Sequence, residues 1–223
     1  MNTPSTPPLI AHRGIRSVGL ENTLSAFRSA VENPPMGLIG VELDVHSTID
    51  GEIVVHHDPV LPSGLVIAES LLDEISEERL DDGSAVPTLA EALDVLGDLR
   101  VFVETKGLDQ IADEELFRLL RKGPSPAGYQ IHSFDHRIIA RLARMAAASD
   151  FTLGVLSCSW PVEPELQAIR AGARVLWQQW ELIDVELMDR CQDNGIEVIA
   201  WTVPEEMIDW MMELGVAGVC TEL

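Results

Sequence analysis

The 223 residues carry a formal net charge of -22 and only two lysines, Lys106 and Lys122. That balance excludes nucleic-acid backbones and anionic bilayers as expected partners, because both need a basic patch. The length supports one domain with a sizeable core, and no apolar run approaches the roughly 18 residues that a membrane-spanning helix needs.

Met1 to Pro8 is rich in Pro, Ser and Thr, with neither a basic n-region nor an apolar h-region. It reads as a loose tail (residues 1–8) ahead of one domain over 9–223, and not as a signal peptide. Cys158, Cys191 and Cys220 are far apart and odd in number. They give no metal-ligand spacing and no disulfide framework, which points to a reducing cytoplasm. An acidic, lysine-poor surface suits a salt-rich cytoplasm and equally follows from GC-rich codon usage.

A repeated order of strand, turn and helix then runs along the chain. Leu9 to His12 is the first strand. Asn22 or Thr23 can cap a helix to about Glu32, with Leu24, Phe27 and Val31 on one face. Gly40 to Val45 is the second strand, with Val41, Leu43 and Val45 on one face and Glu42 and Asp44 on the other. Residues 46–86 break the pattern: a turn at Thr48 to Gly51, an alternating strand from Glu52 to His57, then an irregular acidic stretch with one short helix near Ser70 to Ile75. This reads as an insertion near the mouth of the fold.

The pattern resumes with a helix from Thr88 to Leu96. Strands follow at Val101–Thr105, Tyr129–Ser133, Thr152–Leu156, Arg174–Gln178, Glu197–Trp201 and Val216–Cys220. Helices at Asp113–Arg121, His136–Ala147, Pro164–Arg170, Val185–Gln192 and Pro204–Leu214 alternate with them. Gly172, Gly195 and Gly215 stand where each helix must stop in a left-handed turn. Eight alternating units predict a closed (β/α)8 barrel, an α/β TIM barrel with a small insertion after strand two. An open doubly wound sheet is the alternative, weakened because no Gly-x-Gly-x-x-Gly follows a strand. The chain ends at Leu223, straight after strand eight, so no final helix is expected, and the bare flank leaves room for a second subunit in a homo-oligomer.

The active site of such a barrel lies at the C-terminal ends of its strands. The polar residues expected there are His12 and Arg13, Glu42 and Asp44, His56 to Asp58, Glu104 to Lys106, and Trp201 with Thr202. Adjacent inward carboxylates repel each other unless a positive group lies between them. Three carboxylates without a cysteine favour one hard divalent cation, Mg²⁺ or Ca²⁺, with Mn²⁺ also admissible. Arg13 and Lys106 beside that cation call for an anionic small molecule, and a phosphate fits. Histidines titrating near neutrality can then act as acid and base on an ester.

His12-Arg13-Gly14, Glu21-Asn22-Thr23, Glu42-Leu43-Asp44-Val45, Thr48-x-Asp50-Gly51, Val54-Val55-His56-His57-Asp58, Pro87-Thr88-Leu89-x-Glu91, Glu104-Thr105-Lys106, Trp201-Thr202 and Gly215-Val216 together resemble the glycerophosphodiester phosphodiesterase family. The motifs run in order from residue 9 to the end; between Gln110 and Gln192 only Ser133-Phe134 contributes. The resemblance implies a (β/α)8 barrel that hydrolyses deacylated phospholipids, such as glycerophosphocholine, to glycerol 3-phosphate and an alcohol. By motif position it makes Glu42, Asp44 and Glu104 the metal ligands and His12 and His57 the acid/base pair. Arg13 and Lys106 hold phosphate and Trp201 walls the substrate pocket. It also implies a route in which the glycerol hydroxyl attacks phosphorus first and water opens the cyclic product.

Two positions depart from the family pattern. Leu20 stands where a proline is usual, which should alter only a loop. Ala217 stands in place of an Asp in the closing Gly-Val-Asp-Gly, outside the expected ligands. His46, His132 and His136 read as structural, His56 as a rim residue, and Trp177, Trp180 and Trp210 as packing aromatics. Glu21 and Asn22 read as a helix entry, with Glu21 also able to orient a neighbour. Two other functions fit the same residues. One is a lysophospholipase D-type enzyme, if Leu61, Leu65, Val66 and Ile67 make an apolar mouth. The other is a non-catalytic barrel that binds phosphorylated ligands.

Overall fold

A computed structural model describes residues 6–16 and 20–223, so the first five residues of the expected tail lie outside the described residues. The described strands are β1 (Leu9–His12), β2 (Leu38–Ser47), β3 (Ile53–Val55), β4 (Arg100–Gly107), β5 (Tyr129–Ser133), β6 (Thr152–Ser157), β7 (Val175–Gln179), β8 (Glu197–Trp201) and β9 (Gly218–Thr221). All but β3 are parallel, in the order β1-β9-β8-β7-β6-β5-β4-β2, and a β1–β2 pairing closes the ring into a (β/α)8 barrel. The helices are α1 (Leu24–Glu32), α2 (Leu72–Ser76), α3 (Leu89–Leu96), α4 (Asp113–Lys122), α5 (His136–Leu142), α6 (Glu165–Ala171), α7 (Val185–Asp193) and α8 (Ile208–Leu214). None is long and apolar enough to cross a membrane.

Strand alternation builds two separate apolar layers. Outward residues such as Val41, Leu43, Val45, Val101, Val103 and Ile131 pack under the helices. Inward residues Ile10, Phe102, Leu156, Val175, Trp177, Ile199 and Cys220 fill the barrel itself. The barrel is therefore plugged rather than open, as side chains in layers require. Thr23 caps α1, and Thr88 caps α3 with Glu91 in a reciprocal capping box. Gly172, Gly195 and Gly215 adopt φ of 72°, 67° and 86°, the left-handed stops expected from their positions.

The excursion after β2 is a hairpin, with β3 antiparallel to β2 in the register Val45↔Val55 and Ser47↔Ile53. Its alternation has apolar groups on both faces. Ile53 and Val55 join the helix-side core, while Val54 joins Leu61, Ile67, Ile75, Leu80 and Val86 in a small core of the insertion's own. A helix α2 accordingly forms over Leu72–Ser76, held by Ile75.

Four local expectations are corrected. Val31 is exposed; Ala26, Phe27 and Ala30 form the buried stripe of α1, because their spacing is i, i+1, i+4 on one side and small residues let the helix approach closely. The helix expected to Ala147 stops at Leu142. A tighter 3₁₀ turn over Ala146–Asp150 returns Ala148 to the core and hands Asp150 to Arg121 at 2.8 Å. Trp210 is 42% exposed on α8 and packs into no core. The last strand begins two residues later than expected, because the Val216 N–H still bonds the Met211 carbonyl in the turn that ends α8.

Candidate active site

Above the apolar plug the inward residues become charged. Register sets them side by side: His12 opposite Glu42, and Asp44, Glu104 and His132 in one row across β2, β4 and β5. Glu42, Asp44 and Glu104 are all buried. Lys106 Nζ lies 2.7 Å from Glu104 Oε1 and 3.3 Å from Asp44 Oδ1, so the shared parity of Glu104 and Lys106 on β4 has its expected result. Arg13 Nε lies 3.0 Å from Asp44 Oδ2, and Arg13 donates an Nη1 hydrogen bond to Glu21 Oε1 at 2.5 Å. Asn22 clasps Asp44 twice: its Nδ2 donates to Oδ2 at 2.8 Å, and its Oδ1 accepts from the Asp44 N–H at 3.2 Å.

Arg13 and Asn22 are held in an uncommon backbone conformation. Both have left-handed backbones, at φ 58° and 56°, and the Asn22 N–H donates to the Arg13 carbonyl at 3.0 Å. Non-glycine residues hold that conformation only where surrounding contacts compensate, and here the Asp44 carboxylate holds both side chains.

His12 donates from Nδ1 to Glu222 Oε1 at 2.6 Å, which leaves Nε2 facing Glu42 at 4.0 Å. Glu222 also pairs with Arg16, which in turn bonds Glu21. His57 donates from Nδ1 to Asp58 at 2.8 Å, and its backbone carbonyl accepts from His46 Nε2 at 3.0 Å. The insertion covers this side: Glu21, Asn22, His56, His57, Pro62 and Leu80 line one cleft. Trp201 meets Phe134 edge-on at 5.3 Å between ring centroids, and the Lys106 ammonium lies 5.7 Å from the Phe134 ring.

Burial, reinforced by Asp44 and Glu104, pushes the Glu42 carboxyl well above its usual range. Burial and Asp44 push Glu104 up to about 7. Burial acts on Asp44 in the same direction, but Lys106 and Arg13 outweigh it and hold Asp44 below its usual value. Burial and the adjacent Arg13 depress His12 to about 4, so its imidazole is neutral at pH 7.

Residues 12–222 match the model of the Glycerophosphoryl diester phosphodiesterase family. The chain belongs to that family. It is an enzyme of the phosphoric diester hydrolase class. A glycerophosphodiester phosphodiesterase of Caldanaerobacter subterraneus subsp. tengcongensis is 30% identical over 96% of this chain and 93% of its own length. The crystal structure of the Thermotoga maritima glycerophosphodiester phosphodiesterase superposes with a TM-score of 0.78 at 25% identity, covering 98% and 96% of the two chains. An Oleispira antarctica phosphodiesterase, solved in complex with the product sn-glycerol-3-phosphate, shares the fold with a TM-score of 0.84 at 21% identity over 97% of this chain and 93% of that one.

In this phosphodiesterase, then, His12, Arg13, Glu42, Asp44, Glu104 and Lys106 form one contact network. His57 adjoins it through His46, which lies two residues beyond Asp44 on β2 and bonds the His57 carbonyl. Trp201 joins at the rim through Phe134. Sequence reasoning passed over three further residues. Asn22 is not only a helix entry; its second role has no signature beyond its motif. Glu222 orients His12 from the opposite end of the chain, and only the β1–β9 pairing makes that contact visible. His132 was read as structural, but it is fully buried in the barrel interior and stacks flat on Trp177 at 4.1 Å between centroids. Its inward parity on β5 was the available signal.

The phosphodiesterase site suits a divalent cation. Glu42 Oε1 is buried with neither a hydrogen bond nor an ion pair among the described residues, and Asp44 Oδ1 accepts no hydrogen bond. One ligand atom each from Glu42, Glu104 and His132 lies within 4.8 Å of the others. This set of carboxylate oxygens and an imidazole, with carboxylate oxygens buried and unsatisfied, could hold a cation.

Proposed function

We propose that this chain hydrolyses glycerophosphodiesters, such as glycerophosphocholine, to glycerol 3-phosphate and an alcohol, with one bound divalent cation, Mg²⁺ or Ca²⁺. The observation that carries this reading is the buried charge balance. Three carboxylates, Glu42, Asp44 and Glu104, face two cations, Arg13 and Lys106. A divalent cation turns that deficit of one positive charge into an excess of one, which a phosphodiester monoanion neutralises.

In this reading Glu42, Asp44 and Glu104 hold the cation. It supplies Lewis-acid polarisation of phosphoryl oxygens when bound. Arg13 and Lys106 hold the phosphate, each already fixed on Asp44 so that little order is lost on binding. His12 and His57 are the acid/base pair. Glu222 fixes the His12 tautomer with the proton on Nδ1, so Nε2 is free to accept a proton from the attacking hydroxyl. His57 is held with Nδ1–H on Asp58 and, in its doubly protonated form, gives the Nε2 proton to the leaving alkoxide, ending as the neutral Nδ1–H imidazole. Trp201 and Phe134 wall the side where the alcohol lies.

The test is glycerol 3-phosphate release from glycerophosphocholine by purified protein, metal-free and with Mg²⁺ or Ca²⁺, at low and high salt. Release only with metal is the expected result; no release under any condition overturns the reading. Glu42→Ala should weaken cation affinity by at least about tenfold, the scale on which even outer-shell partners matter, and unchanged affinity by calorimetry contradicts its assignment.

Lysophospholipids form a second reading, favoured by exposed Phe134, Trp160 and Val162 on the loops after β5 and β6. Leu61 and Ile67 lend it nothing, since both are buried in the insertion's own core. Faster turnover of lysophosphatidylcholine than of glycerophosphocholine would favour it.

A further inference from the structure

We infer that His132 is a nitrogen ligand of the bound cation, adding an imidazole to the carboxylate set beside Glu42 and Glu104 and tilting the site from Ca²⁺ toward first-row transition metals, with Mn²⁺ as the spectroscopic probe. The inference rests on the cation-dependent reading above and goes beyond it in donor and metal.

His132 is 0% exposed, and neither Nδ1 nor Nε2 has a hydrogen-bond partner among the described residues. A buried imidazole always carries at least one N–H and, when neutral, one lone pair, so leaving both idle is costly. Packing accounts for the ring but not for its nitrogens. Trp177 stacks on it with an interplanar angle of 7°, and Trp177 is itself pinned by a 2.7 Å hydrogen bond from Nε1 to Gln130. Gly154 makes the space: a Cβ there would stand 3.1 Å from Trp177 and 3.2 Å from His132. A phenylalanine would fill that slot equally well. The two nitrogens are the unexplained part, and one of them lies at the buried carboxylates.

The geometry allows a shared ion. Three atoms mutually within 4.8 Å have a point no more than about 2.8 Å (4.8/√3) from each. Bond lengths of about 2.0–2.2 Å to nitrogen and oxygen then need only small side-chain adjustments. Ligand type sets the preference. Carboxylates serve Mg²⁺, Ca²⁺ and Mn²⁺ alike, whereas an imidazole adds affinity for transition metals and little for Ca²⁺. Lys106 already meets both Glu104 and Asp44, and Arg13 and Asn22 also hold Asp44, whereas Glu42 Oε1 has neither a hydrogen bond nor an ion pair among the described residues and shares the same ion-sized space with His132.

The experiment is electron spin-echo spectroscopy of the full chain loaded with Mn²⁺, with Mn²⁺ and Ca²⁺ affinities measured by titration calorimetry. The expected result is ¹⁴N coupling of a coordinated imidazole in the wild type. It disappears in His132→Phe, with Mn²⁺ affinity down at least about tenfold and Ca²⁺ affinity little changed. His132→Gln, which keeps a polar side chain of similar reach, gives the same spectroscopic answer if the Phe variant does not fold. Mn²⁺ bound without ¹⁴N coupling, or with coupling that survives both substitutions, overturns the inference and leaves the cation-dependent reading intact. No binding of any divalent cation overturns both.

Discussion

The two ends of the barrel interior are built from the same strands and differ in almost everything else. On β1, Ile10 lies in the plug and His12 in the site; on β4, Phe102 lies in the plug and Glu104 and Lys106 in the site. Two residues along a strand is roughly 7 Å, and over that distance the interior passes from a largely apolar layer, with Gln130 bonded to Trp177 as its polar member, to a cluster of buried ions. The contrast teaches a division of labour. The floor supplies burial and rigidity; the mouth carries Glu42 and Glu104, whose affinity for protons is raised by burial and by the neighbouring carboxylates.

The contrast is broken most strongly at the mouth. His12→Ala and His57→Ala should each lower turnover on the order of 10²–10⁴-fold, the usual worth of a general acid or base, with the unfolding transition little changed. Assays on glycerophosphocholine with metal read this directly; a rate near wild type in either variant removes that histidine from the acid/base pair.

At the floor the expectation is reversed. Phe102 is fully buried edge-on to Trp177 at 5.5 Å, and Phe102→Ala should cost about 3–5 kcal/mol of stability. Urea unfolding measures it. Activity per folded molecule should stay close to wild type, since Phe102 touches plug rather than site. A loss of activity matching that of the histidine variants, in protein that remains folded, would show that floor and mouth are one unit.

How much of this could be read from the sequence follows from the range of each interaction. The strands Leu9–His12, Tyr129–Ser133 and Glu197–Trp201 were legible to the residue, because apolar runs bounded by turns are local signals. The parity of Glu42 with Asp44, and of Glu104 with Lys106, was equally local. The motif cluster from His12 to Asp58 added the family. Parity alone, however, says only that His132 faces inward. That it faces Glu104 depends on the β4–β5 register, and the flat stack on Trp177 depends on β7, two strands away across Gly154 of β6. Trp210 and Val31 were misjudged for the complementary reason: an apolar residue on a helix is as free to be exposed as buried.

Glu222 is the clearest case of a long-range contact, since its partner is 210 residues away. Glu222→Gln keeps the size and loses the charge. It should reduce kcat about tenfold, the worth of one hydrogen bond to an ionised group, with KM nearly constant because no substrate contact is removed. Partial recovery in Glu222→Asp would mark an orienting carboxylate. A change confined to KM, or none, would place Glu222 outside the chemistry and leave its Arg16 pair as its role.

The smallest expected effect lies outside the barrel, where α6 meets α7. Arg190 donates from Nε and Nη2 to both oxygens of Glu165, at 2.9 and 2.6 Å, and these hydrogen bonds hold the Glu165 carboxyl below its usual range. A carboxylate with a depressed folded pKa contributes stability that is fully present above its unfolded value and is lost as pH falls through the folded one. Glu165→Gln should therefore be slightly less stable than wild type in urea at pH 7, and the two should converge in acid once wild-type Glu165 is protonated. Activity should not change at either pH where both are folded. A pair on the outer surface that altered turnover would mean that the helical ring positions the mouth, and the separation between scaffold and site would have to be redrawn from the inside of the barrel to its outside.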